Sequence, residues 1–229
     1  MKKLSLLLVL AVLVLGANKE ETIAKLDTTK TPSKARLEIL EPTFDFGIAP
    51  DGQRIVNHFL LKSVGEEPLL ISQVRATCGC TSAPLEKDSL APGDSTFLKV
   101  TFNSSGYRGR KARKSVKITS NDQTRPQSSV SFSALIDTSV YEVLQPEPVA
   151  LEIGRGDEYL RETEFKLKNL TEEDLEVKLI TYDFDNIEKV DFGKGKIKAG
   201  KDIDVTITIK DGLDSASRVL SSVTFEASD

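Results

Sequence analysis

Tryptophan is absent from this chain, histidine occurs once (His58), and cysteine occurs twice (Cys78 and Cys80). With one imidazole, a closed zinc site would need carboxylates beside the two thiols, since zinc takes four ligands. No serine, histidine and acid set is credible, because nothing in the sequence places a nucleophile or an acid beside His58. No glycine-rich loop follows a strand and opens a helix, which argues against a phosphate-binding loop. The acidic pairs around Asp183–Asp185 and Asp202–Asp204 lack the ligand count and the glycine of a calcium loop. After residue 17, no apolar run approaches the roughly 20 residues of a membrane-crossing helix. The expectation is a protein without catalytic residues and without a cofactor.

What is present begins with MKKLSLLLVLAVLVLGANKEE. Lys2 and Lys3 precede an uncharged apolar run, Leu4 to Leu15, and the small residues Gly16 and Ala17 come before a polar stretch. This is the pattern of a secretory signal peptide over residues 1–17. No cysteine lies near the cleavage region, so a lipid anchor is not expected. The address is export, periplasmic or extracellular. Loss of Lys2 and Lys3 leaves 29 basic against 35 acidic residues, a formal charge of −6 with His58 neutral. An acidic exported protein suits a protein or glycan partner in the cell envelope better than nucleic acid. Residues 18–36 are polar and read as a flexible tether.

From Leu37 the texture changes to short β-type runs separated by Gly, Pro, Asn and Asp. In FLKVTF, Leu98, Val100 and Phe102 alternate with Phe97, Lys99 and Thr101. In KSVKITS, Val116 and Ile118 alternate with Lys117 and Thr119. Period two puts one face on a core and the other in water. Seven such runs in about 100 residues suit an immunoglobulin-like sandwich, although the core tryptophan and the inter-sheet cysteine pair of antibody domains are missing.

The second half repeats the first. FLLKSVGEEPL from Phe59 aligns with FKLKNLTEEDL from Phe165, and APGDS at 91–95 aligns with AGKDI at 199–203. The expected organisation is all-β: one sandwich over 37–138, a second over 139–229, and a join near residues 138–148. Leu151, Phe165, Leu167, Val205, Ile207, Val223 and Phe225 are the core expected of the second. Where the first copy has RATCGCTSA, the second has ITYDFDNIEK. The Cys-Gly-Cys element is therefore an addition to the first copy.

Side chains at i and i+2 of a strand share a face, and their Cα atoms lie about 6.6 Å apart when fully extended. That is near the upper limit for a disulfide, and a glycine at positive φ would draw them closer. A bond closing three residues contributes only about 1.6 kcal/mol in the chain-entropy model. Three states are open: a Cys78–Cys80 disulfide, two thiols packed beside Val74 and Leu85, or soft ligands for copper or a redox pair. Export favours oxidation, so the disulfide is the expectation. Tyr107, Arg108, Arg110, Lys111, Arg113 and Lys114 form a basic run that reads as a solvated hairpin or a docking patch for an acidic partner.

The order and spacing of FDFG (Phe44–Gly47), Gly65 with Pro68-Leu69, TCGCT (Thr77–Thr81), APGD (Ala91–Asp94), Gly109 and TSND (Thr119–Asp122) resemble the bacterial exported family known as domain of unknown function 1573. The resemblance covers roughly residues 37–138 and implies an immunoglobulin-like fold. It brings no biochemical role. Ser63 departs from the family, which often has Asn before the turn glycine. The functional expectation is a non-enzymatic interaction or scaffold protein. The alternative is a thiol-redox or copper-binding protein acting through Cys78 and Cys80; an enzyme acting on a polymer through paired carboxylates ranks third.

Overall fold

Nine strands form the first half of the chain in a computed structural model that describes residues 33–137, 140–148, 151, 154–155, 158–213 and 221–228. They are β1 (Leu37–Ile39), β2 (Thr43–Ala49), β3 (Arg54–Ser63), β4 (Leu69–Ala76), β5 (Thr81–Ser82), β6 (Ser89–Leu90), β7 (Ser95–Asn103), β8 (Arg110–Ser120) and β9 (Gln127–Ile136). One sheet runs β1-β3-β7-β5 and the other β2-β9-β8-β4-β6. The seven apolar runs read from the sequence coincide with β1, β2, β3, β4, β7, β8 and β9. The short β5 and β6 close the sheets. The signal peptide lies outside the described residues.

The alternation works as the sequence dictates. Leu98, Val100 and Phe102 of β7 and Val116 and Ile118 of β8 are buried, and they meet Phe59 and Leu61 of β3 and Phe132 of β9 in one core. The rings of Phe46, Phe102 and Phe132 pack with centroids 5.3 to 5.7 Å apart. Each such ring contributes roughly 1.5–3 kcal/mol of burial.

The second half starts with a short helix, α1 (Val140–Val143), and β10 (Leu144–Glu147). It continues with β11 (Gly154–Arg155), β12 (Glu158–Tyr159), β13 (Glu162–Asn169), β14 (Leu175–Tyr182), β15 (Ile187–Asp191), β16 (Lys196–Ile197), β17 (Asp202–Ile209) and β18 (Val223–Ser228). Its sheets run β10-β13-β17-β15 and β16-β14-β18, beside the small β11-β12 pair. The order β1-β3-β7-β5 thus recurs as β10-β13-β17-β15, and β6-β4-β8 recurs as β16-β14-β18. In the first half β8 carries β9 and then β2 on its far side. Among the described residues β18 has no such neighbour. The core here is smaller: Leu144, Leu167, Val177, Ile197 and Val205, with a separate group of Ile187, Ile207 and Ile209. Of the other expected core residues, Leu151, Phe165, Val223 and Phe225 are half-buried.

Two boundaries differ from the sequence reading. The segment read as a linker supplies β10, which pairs with β13 along Leu144–Glu147. Order also reaches back into the end of the tether. Ala35 is fully buried, the Val64 amide donates to the Arg36 carbonyl, and the Glu66 amide donates to the Lys34 carbonyl. Gly65 is needed for this approach, because a Cβ there would lie 2.1 Å from the Lys34 carbonyl oxygen. The described residues belong to one compact unit, Ser33–Asp229.

Candidate functional site

Strand alternation turns His58 of β3 and its cross-strand partner Lys99 of β7 away from the first core. The turn between β14 and β15 comes to meet them. Lys99 Nζ lies 2.7 Å from Asp183 Oδ1 and 3.0 Å from Asp185 Oδ2. The Asp183 side chain is fully buried, and its Oδ2 also accepts from Asn186 Nδ2 at 2.8 Å and from Ser221 Oγ at 3.2 Å. Phe184 stacks on the His58 ring with centroids 3.7 Å apart, and Phe97 meets Phe184 edge-on at 4.8 Å.

The His58 side chain is only 2% exposed, yet its ring nitrogens are poorly served. Nε2 stands 3.5 Å from Asp185 Oδ1 and 3.9 Å from Asp183 Oδ1, and Nδ1 has no hydrogen-bond partner. Burial drives the imidazole pKa below its ordinary value, although both aspartates pull the other way. Burial also opposes the charges of Lys99 and Asp185. Their mutual hydrogen bonds and attraction win, so Lys99 is raised and Asp185 lowered.

Donor atoms of His58, Asp183 and Asp185 lie within 4.8 Å of one another, close enough for a divalent cation. The Lys99 ammonium already sits between the two carboxylates, so a metal would have to displace it. Beside this cluster a cleft of about 530 Å³ opens between β3 and β14. Leu40, Phe44 and Leu60 line it from one half, and Ile180, Tyr182 and Phe184 line it from the other. Leu40 is 43% and Ile180 37% exposed. Glu41, Asn57 and His58 give the wall its polar groups.

The two cysteines lie elsewhere, in the turn between β4 and β5. Their sulfurs are bonded to each other, and their Cα atoms are 5.3 Å apart. That is shorter than the fully extended spacing because residues 77–80 turn out of the strand. Gly79 achieves this without positive φ, and a Cβ on it would touch nothing. Tyr107 Oη donates to Cys80 Sγ at 3.5 Å, and Thr81 Oγ1 lies 3.5 Å from Cys78 Sγ. In the basic run, Arg108, Arg110, Lys111 and Arg113 are exposed, and Lys114 Nζ stands 4.7 Å above the Tyr107 ring. None of this run takes part in the cleft.

The turns that carried the family resemblance are clamps. Asp122, nearly fully buried, accepts from the amides of Leu37, Thr124 and Arg125 and from the Thr124 hydroxyl. Asn121 accepts from the Leu70 amide and donates to the Pro68 carbonyl.

Residues 37–135 match the family of unknown function DUF1573. The resemblance read from TCGCT and the spaced turns is borne out over that segment. No curated protein matches the chain. Among solved structures, a protein of unknown function from Porphyromonas gingivalis W83 is 18% identical over 49% of this chain and 51% of its own, with a TM-score of 0.41. This chain therefore spans about half of that protein. The PapD-like domain 7 of human CEP192 is 13% identical over 48% of this chain and 90% of that domain, TM-score 0.37. The YadV chaperone is 14% identical over 84% and 93%, TM-score 0.35. These likenesses concern the fold alone.

Sequence reasoning missed the junction. The signal was present in two pieces: His58 and Lys99 on the outer face of the DUF1573 segment, and an acidic, aromatic DFDN where the first copy has Cys-Gly-Cys. Nothing in one sequence says that the second turn folds back onto the first half.

Proposed function

We infer that this is an exported, non-enzymatic interaction protein made of two related immunoglobulin-like sandwiches, and that the cleft between its halves seats a segment of a protein partner in the cell envelope. One observation carries this reading: Leu40 and Ile180, contributed by different halves, leave apolar surface exposed across a concave wall that also holds aromatic rings and polar groups. Clefts of this mixed character are the usual sites of recognition. The charged groups nearby are engaged with one another, which favours binding over chemistry.

The test is site-specific photocrosslinking in intact cells. A benzophenone side chain at position 40 or 180 should give one shared adduct that is absent when the probe replaces Glu172, an exposed residue in the turn before β14. Leu40→Asp combined with Ile180→Asp should abolish capture by a probe at position 44. Identical patterns at positions 40, 180 and 172 would refute the reading.

A further inference from the structure

The disulfide turn is built so that its two sulfurs are unequal. Cys80 packs against the first core and accepts a hydrogen bond from Tyr107 Oη. Thr81 Oγ1 lies beside both sulfurs, 3.5 Å from Cys78 and 3.8 Å from Cys80, and does not distinguish them. A hydroxyl donor stabilises a thiolate over a thiol. Both cysteines are half-buried, but Cys78 stands between the exposed residues Thr77 and Gly79 while Cys80 packs against the core, so Cys78 is the sulfur open to attack.

The turn also keeps its shape by other means. The Thr77 amide donates to the Ser115 carbonyl, the Thr81 amide to the Cys78 carbonyl, and the Asn103 amide to the Cys80 carbonyl. The sulfur bond closes a loop with a single intervening residue, which constrains the unfolded chain little. Opening it leaves these backbone bonds in place. The aligned turn of the second half is formed with no cysteine at all.

We propose that Cys78 and Cys80 are a two-electron redox couple that exchanges with a dithiol substrate, with Cys78 as the attacked sulfur and Cys80 as the leaving thiolate. One substrate thiolate attacks Cys78 Sγ. A mixed disulfide forms, the Cys78–Cys80 bond breaks, and its electron pair stays on Cys80 Sγ, where Tyr107 donates to it. The second substrate thiol, once deprotonated, attacks the substrate sulfur of the mixed disulfide and releases Cys78. The substrate leaves as a disulfide, and its two electrons and two protons remain on the Cys78/Cys80 dithiol. The reverse sequence reduces a substrate disulfide. This couple is independent of the cleft and of any partner there.

Dithiothreitol serves as the probe dithiol, with the full folded chain. Alkylation and intact mass should show reversible conversion between oxidised and reduced protein while circular dichroism stays unchanged. Absorbance at 240 nm should show one thiol titrating below the ordinary range of about 8.5. Tyr107→Phe, which keeps the ring against Phe102, should raise that thiol and slow reduction by about tenfold, the effect expected for losing one hydrogen bond to a charged sulfur. A bond that opens only when the chain unfolds would overturn the couple. Equal titration and equal rates in wild type and Tyr107→Phe would overturn the assignment of Cys80 as the leaving thiolate.

Discussion

The turn after β4 and the turn after β14 occupy the same place in the strand order that the two halves share, and they are built from unlike chemistry. The first closes on itself through sulfur and faces outward. The second carries Asp183, Phe184 and Asp185 onto the outer face of the first half, where Lys99 and His58 receive them. A sandwich tolerates either, because the β-ladders on both sides of the turn hold the fold. What a turn adds depends on what it touches: the first adds a local bond, the second a tie between distant parts of the chain.

The largest expected difference follows from burial. Asp183→Ala removes a fully buried carboxylate, takes a hydrogen-bond partner from Asn186 and Ser221, and leaves Lys99 with Asp185 alone. Breaking a buried charge pair from one side costs about 3–5 kcal/mol. Urea denaturation should show this loss, together with weaker protection of β14 and β15 amides from exchange. A loss under about 1 kcal/mol, the size expected of a surface ion pair, would mean that the tie is solvated.

The next effect compares the last residues of β3 and β13, Ser63 and Asn169. Asn169, at the end of β13, donates to the carbonyls of Glu173 and Ile197 and accepts from the amide and hydroxyl of Thr171. Ser63 holds the equivalent place, is fully buried, and its hydroxyl has no hydrogen-bond partner. The shorter side chain cannot span the turn, and the first half holds this corner through Gly65 against Lys34 instead. Asn169→Ser should therefore destabilise by about 1–3 kcal/mol, the cost of leaving buried groups unpaired. Thermal melts of this variant and of Ser63→Ala settle the comparison, since Ser63→Ala should change little.

How much of this was legible in the sequence varies with the range of the interaction. Alternation at Leu98, Val100 and Phe102 is a local property of the chain, and it located both the strand and its buried face. The spaced turns located the DUF1573 segment. Long-range placement was not legible. Alternation with Phe59 and Leu61 places His58 on the outer face of β3, but no local pattern shows that Phe184 covers it. Leu144–Glu147 looked like a linker because Pro146, Glu147 and Pro148 resemble one, yet as β10 it lies at the end of its sheet, where proline is tolerated. Lys34–Arg36 looked like tether because its composition is polar, although Ala35 is the residue that becomes buried.

A smaller effect is expected at the first turn. Cys78→Ser with Cys80→Ser should cost no more than about 1.6 kcal/mol, the chain-entropy limit for so short a loop. Calorimetry that finds a loss as large as that of Asp183→Ala would show that the sulfurs are core packing and would dissolve the contrast between the turns.

The smallest effect is a pH dependence confined to one of the two turns. Bonded cysteines do not titrate, so the first turn contributes nothing. At the second, burial holds folded His58 below its ordinary value of 6.5. As pH falls below 6.5 the unfolded chain takes up a proton that the folded chain refuses, so stability declines until the folded imidazole titrates as well. Asp185, held low by Lys99, and Asp122, held low by its hydrogen bonds, keep their contributions above their ordinary 3.8 and lose them only below it. Lys99, held high by the two aspartates, loses its contribution only above 10.5. Stability should thus be flat from about pH 7 to 9 and slope downward from 6.5 toward 5, before the carboxylates enter. His58→Phe preserves the stack on Phe184 and should remove that first slope while leaving the one below 3.8. Denaturation midpoints at pH 7.5, 6.5 and 5.5 for the two proteins measure it directly, and equal slopes would show that His58 is not the group refusing the proton.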